Sequence, residues 1–190
     1  FRRFLVAVAL FGLGDFSRTL LILWATGEKV GFTGETAMTV PVLLYVLYNL
    51  VAAASSYISG HGSDIVGRKV LLVGGYATAA VVSILMVFDV RSIPMMILVF
   101  VGSGIYMGIQ EAIERATAAD LLPKPSRSFG FGVLASTNGV GDLVSSLTVG
   151  TLWHYVGPTA AFAFSAVFLT LGLILLTVWV PSRKVAVSGR

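Results

Sequence analysis

Apolar runs of about 20 residues, each long enough to cross a hydrocarbon core of roughly 30 Å at 1.5 Å per residue, recur along the chain and are separated by short polar joints. Six can be delimited: Phe4 to Ala25, Met38 to Ser59, Val70 to Phe88, Ile93 to Ile113, Phe129 to Trp153 and Thr159 to Val180. A β-barrel would instead alternate apolar and polar residues over segments of about ten, and these runs do not alternate. Composition agrees, since 56% of the 190 residues are hydrophobic and only 12% charged, more apolar than one soluble core needs. The 21 glycines would be costly in soluble helices but suit membrane helices that pack through small residues. The expectation is an all-α membrane protein, a single domain of six transmembrane helices over residues 1–190.

Several chemistries are set aside by what the chain contains. It has no cysteine, so disulfide and thiolate chemistry are unavailable, and two histidines without cysteine make a poor metal site. No P-loop glycine and lysine motif occurs, so ATP does not drive this chain directly, and no cofactor is implied. An intramembrane serine protease would need a G-x-S-G turn and a reachable histidine. The nearest run, Val101-Gly102-Ser103-Gly104, lacks the first glycine, and His61 and His154 fall at span ends on opposite sides. Enzymatic function is therefore not expected.

Basic residues set the orientation. One side receives Arg2, Arg3, Arg68, Lys69 and Arg115, with Lys124, Arg127, Arg183, Lys184 and Arg190; the other receives Lys29 and Arg91. The richer side is expected to be cytoplasmic, with both termini there, in a multi-pass protein of the plasma or inner membrane. The net charge of +4 then has a membrane explanation and nucleic acid need not be invoked. The chain begins at Phe1 rather than Met, with Arg2 and Arg3 leading into the first span, which suggests a piece of something longer. A cleaved signal peptide fits less well, because the first run is too long and has no small-residue cleavage site.

Polar residues inside the spans cluster in a pattern. The third and sixth spans carry no charge, whereas the first holds Asp15 and Arg18, the fourth ends in Glu111, Glu114 and Arg115, and the fifth holds Asn138 and Asp142. This is a period of three helices, as in secondary transporters built from two inverted three-helix repeats whose first helices face the pathway. Spans three and six read as lipid-facing scaffold. Counting 1.5 Å per residue puts Asp15 roughly 18 Å and Asp142 roughly 20 Å into their spans, near the bilayer middle. A carboxylate there must meet protein, water or a counter-charge, or be protonated. Asp15 and Arg18, three apart, share a helix face, and two readings stay open: they neutralise each other as a packing pair, or they line a wet pathway. Asn138, Asp142 and Ser145 form one stripe; Tyr45, Tyr48, Asn49 and Ser56 form a softer one, for which core packing is the competing reading.

The joint between spans two and three reads SGHGSDIVGRKVLLVGG. Gly60, Gly62 and Gly67 would allow a tight turn, Asp64 would cap the next helix, and Arg68 and Lys69 would anchor at headgroups. With Gly60, Asp64, Gly67, Arg68 and Lys69, this segment resembles the G-x-x-x-D-x-x-G-R-K/R signature of the major facilitator superfamily, although Ile65 stands where a base usually follows the acid. The run EAIERATAADLLPKPSRSFGFGVLASTNGVGDLVSS is similar to the region from helix four to helix five in the same superfamily, with its A-D-L-x-P helix end and basic loop. Glu111, Glu114 and Arg115 resemble the charge cluster ending the tenth helix of efflux-type members. The early fourth-helix Arg of an amino-terminal half and the proline motif of antiporter fifth helices are missing, and the chain ends in the short basic tail PSRKVAVSGR. It therefore resembles the carboxy-terminal half of a twelve-helix transporter.

That resemblance implies alternating access, in which two halves rock about a midplane site, driven by an ion gradient and here read as proton-coupled efflux. Asp64, Arg68 and the Glu114/Arg115 pair would form a cytoplasmic latch, while topology alone would equally explain the bases. Asp15, Arg18, Asn138 and Asp142 would belong to the deeper site, with Asp142 and Glu111 as proton carriers. The implied partners are a small-molecule substrate, protons, membrane lipid, and a missing amino-terminal half or a second copy; the mixed Tyr, Met, Trp and acid lining itself would suit an amphipathic or cationic compound. The rival reading is an isolated or truncated half serving as a non-transporting scaffold or as a dimer.

Overall fold

Residues 1–26 and 36–180 are described by a computed structural model, and among them every regular element is helical. In chain order these are α1 (Arg2–Gly12), α2 (Arg18–Thr26), α3 (Thr36–Val66), α4 (Arg68–Val87), α5 (Ile93–Leu121), α6 (Arg127–Tyr155) and α7 (Pro158–Trp179), with a short 3₁₀ turn at Lys124–Ser126. Lys29 and the basic tail beyond residue 180, both used above to assign orientation, lie outside the described residues.

The first apolar run is not one helix. It breaks between Gly12 and Arg18, and the reason lies in its residues. Gly14 passes so close to α7 that a Cβ there would stand 2.7 Å from the Ser165 carbonyl oxygen and 2.8 Å from the Leu169 nitrogen. Asp15 and Ser17 are side chains that compete with helix carbonyls for backbone donors; Ser17 Oγ accepts from the Thr19 amide at 3.3 Å, and its carbonyl accepts from the Leu20 amide at 2.9 Å. The expected helical face shared by Asp15 and Arg18 therefore does not form, because the backbone between them is not helical.

Among the described residues, four helices, α3, α4, α5 and α7, are long and apolar enough to cross a membrane. At 29 residues α6 matches them in length, but its run of Gly, Ser and Thr around Asn138 and Asp142 leaves it less apolar. The second and fourth runs continue past their expected ends, to Val66 and Leu121. Gly60, Gly62 and Asp64 are thus within α3, not in a turn, and Asp64 does not cap the next helix. Gly67 alone makes the turn, at φ +94°, where an L side chain would be strained.

Packing is carried by small residues and aromatics. α3 lies on α5 through Gly104 and Gly108, where a Cβ on Gly108 would run into the Ala52 carbonyl and stand 2.7 Å from the Ser56 nitrogen. α1 crosses α6 backbone to backbone at Gly12 and Gly141. Such contacts replace the hydrophobic drive that lipid does not provide. Two apolar clusters fill the interior, one around Phe4, Phe11, Leu72, Tyr76 and Leu176, the other around Trp24, Met86, Met96, Phe100 and Phe162. Helices α4 and α7 pack on each other and on α5 and α1 respectively. α4 is more than lipid-facing scaffold: Leu72, Tyr76 and Met86 on it are fully buried.

Candidate functional site

α5 supplies the spine of the site. Tyr106, Gln110 and Glu114 recur at four-residue spacing, as do Met107 and Glu111, so two polar stripes run side by side along its inner face. Facing them are the α1–α2 break, α3 and α6. Together these elements line a cavity of about 760 Å³ inside an otherwise apolar bundle. An apolar bundle that surrounds ionic side chains needs such a hydrated or occupied space, since charge at membrane depth is tolerated only there or in a pair.

Asp15 is held at the break, partly buried, where a carboxylate oxygen accepts a 2.5 Å hydrogen bond from the Tyr106 hydroxyl. Glu114 is 3% exposed. Its Oε1 accepts from the Tyr76 hydroxyl and, at 3.3 Å, from the Gln110 amide, and its Oε2 accepts from the Asn138 amide at 2.7 Å. Phe11 stacks on the Tyr76 ring, centroids 3.6 Å apart, and lies 5.6 Å from that of Tyr106. One aromatic stack thus carries both tyrosines that serve the two acids. Arg18 turns to α5, with a guanidinium nitrogen 3.8 Å from Glu111 and 3.4 Å from the Met107 sulfur. Both side chains of this pair are about half exposed, at 51% and 55%, so it is a loose, solvent-facing contact.

Most residues named from the sequence converge here. Asp15, Arg18, Tyr45, Tyr48, Glu111, Asn138 and Asp142 all line the cavity, Asp142 at its exposed edge. Asn49 does not: it is exposed on α3, and its amide donates to the Tyr45 carbonyl at 2.7 Å. Glu114 and Arg115 belong to the cavity rather than to the motif around Arg68. Arg68 instead donates to Asp120 at 2.7 Å and to the Ala116 carbonyl at 2.8 Å, with Asp64 at 3.9 Å, while Lys69 reaches the Thr177 carbonyl at 2.8 Å. The expected pairing of Arg68 with the Glu114/Arg115 cluster is thus not made, and Arg68 pairs with Asp120 instead. The acid lies in the A-D-L-x-P helix end, one turn and a half beyond Glu114, so its register on α5 selects it.

Tyr76, Tyr106, Met107 and Gln110 were missed. Three of them were legible on four-residue stripes, Tyr106 and Gln110 on the one ending at Glu114 and Met107 on the one ending at Glu111; Tyr76 had no such signal, because α4 looks uniformly apolar and only packing brings its hydroxyl to α5. At the opposite end of the bundle from Arg68, Asp89 in the α4–α5 turn accepts from Arg91 at 2.7 Å and from the Trp24 indole at 3.1 Å. Ser103 lines the cavity, whereas His61, within the last two turns of α3, and His154, at the end of α6, lie against Tyr57 and Tyr155.

These features define an integral membrane protein of packed helices that enclose a charge-lined chamber. The family model of the Major Facilitator Superfamily matches residues 4–189. Over 174 residues the chain is 31% identical to an uncharacterized MFS-type transporter of Methanocaldococcus jannaschii, an alignment covering 91% of this chain and 43% of that relative. The chain belongs to the Major Facilitator Superfamily. It spans less than half the length of that relative.

Proposed function

We propose that the protein performs secondary active transport, moving a small molecule across the membrane by alternating access in a proton-coupled, outward direction. The observation that carries this reading is the cavity between the broken first helix and α5, about 760 Å³ and lined by ionisable side chains within an apolar bundle. Family membership supports it, as does the name of the relative. The plasma or inner membrane, with the Arg68 end cytoplasmic, is the setting this reading requires.

Helix packing supports two inverted three-helix repeats. Take α1 with α2, α3 and α4 as one triplet and α5, α6 and α7 as the other. Exchanging the triplets turns the α3–α5 contact into α6–α1 and the α4–α5 contact into α7–α1, and maps α4–α7 onto itself; all these pairs pack. The two first helices, one broken and one continuous, then stand on either side of the cavity. In this reading the chain is a carboxy-terminal half, and the exposed apolar residues Val46 and Leu50 of α3 and Leu143 and Leu147 of α6 meet the other half.

Proton coupling is assigned to Asp142 and to Glu114. Glu111, one of the two acids favoured from the sequence, has Arg18 beside it to hold its charge, whereas Glu114 has only uncharged donors as hydrogen-bond partners.

Alternating access has a test that needs no substrate. This chain has no cysteine, so once any cysteine elsewhere in the full-length protein is replaced by serine, Ser103→Cys places a single thiol on the cavity wall. In the natural full-length protein, a membrane-impermeant thiol reagent should label it from either side, in right-side-out and in inside-out vesicles. Labelling from one side only, at all times, would rule out alternating access.

A further inference from the structure

Among the described residues of this chain, the charges that line the cavity do not balance. Four carboxylates line it, those of Asp15, Glu111, Glu114 and Asp142, against the guanidiniums of Arg18 and Arg115. Arg18 answers Glu111. Glu114, nearly inaccessible, takes its hydrogen bonds from a phenol and two amides, and Asp15 from a phenol. Neutral donors satisfy the lone pairs of a carboxylate but do not cancel its charge, and an uncompensated charge in a low-dielectric site is costly. Across the chamber, the rings of Tyr45 and Tyr48 stack at 5.8 Å, nearly parallel at 9°, and Phe16 and Phe131 also face the space. Aromatic faces attract cations within about 6 Å. A bare metal ion is a poor match, since no group of three or more His, Cys, Asp or Glu side chains among the described residues is placed to hold one.

We propose that the cavity binds an organic cation with an apolar or aromatic body, its positive charge set against Glu114 and Asp15 and its body against Tyr45, Tyr48 and Phe16. The proposal rests on the transport reading, naming the class of substrate that reading leaves open. An anion of the same shape would meet the excess carboxylates and be rejected, so selectivity comes from repulsion as well as attraction.

Tetraphenylphosphonium and tetraphenylborate share a shape and differ in the sign of charge, which makes them suitable probes for equilibrium binding to the purified natural full-length protein. In separate titrations, since the two ions pair with each other in water, saturable binding of the phosphonium and none of the borate is expected. Glu114→Gln and Asp15→Asn should each weaken it by roughly tenfold or more, as loss of a buried charged partner does. Should Glu114→Gln fail to fold, Asp15→Asn at the partly buried break carries the test. Equal or tighter binding of the borate, or unchanged phosphonium affinity in folded variants, overturns the proposal. Cation binding together with one-sided Ser103→Cys labelling overturns the transport reading alone; two-sided labelling with a preference for the borate overturns the cation alone.

Discussion

At the residue scale, Asp15 shows how one side chain is fixed by partners far away in sequence. Its hydrogen bond comes from Tyr106, on a different helix, and Arg18, its near neighbour in sequence, reaches Glu111 instead. Tyr106→Phe removes the hydroxyl and keeps the ring against Phe11, so it should lower stability by about 1.5–3 kcal/mol, the range for a hydrogen bond to a charged group. Thermal unfolding in detergent checks this, and a midpoint equal to that of the unsubstituted protein would mean the bond contributes little. Most of the acids and amides of the cavity were legible in the sequence, because a charge in a lipid-length run has few places to go. Their pairings were not legible: Glu114 looked like a gate residue and Asn49 like a cavity residue until α5 and α3 were set in rotation.

At the scale of elements, glycine position decides how closely helices approach. Gly108 faces the α3 backbone with no space for a Cβ, whereas Gly139 on α6 has nothing within 4 Å. Gly108→Ala should therefore force α3 and α5 apart and destabilise by about 1–3 kcal/mol. Gly139→Ala should be neutral or stabilising by up to about 1 kcal/mol, since alanine is the better helix former. Opposite shifts in unfolding midpoint would support the assignment; equal shifts would show that the α3–α5 contact gives way at little cost. Six apolar runs were apparent from hydropathy, but the break in the first was not, because Leu13 and Phe16 keep the local average apolar while Gly14 and Asp15 end the helix. α3 and α5 also extend beyond their apolar runs, to Val66 and Leu121, since a helix that leaves the membrane can continue as a helix where its polar residues pair.

At the scale of the whole molecule, the two ends of the bundle are fastened differently. Arg68 bridges α3, α4 and α5 with a side chain 31% exposed, while Arg91 and Asp89 at the far end are 6% and 9% exposed and also engage Trp24 of α2. Removing one partner of a buried pair strands the other, at about 3–5 kcal/mol, whereas exposed pairs contribute about 0–1 kcal/mol. Arg91→Ala should thus lower the unfolding midpoint well below that of Arg68→Ala; the reverse order would mean that the Arg68 end carries the stability. The sequence by itself determined the solvent of this protein, its helical class and its family signature, because hydropathy over lipid-length windows and a contiguous sequence motif are properties of neighbouring residues. Only the tertiary structure decided that the first run breaks at Asp15, that Glu114 lies in the cavity and Asp120 on Arg68, and that Tyr76 completes the site. Each of these depends on the rotation of one helix against another, which is set by close contacts such as Gly12 on Gly141 and Gly108 on α3, between residues far apart in the chain.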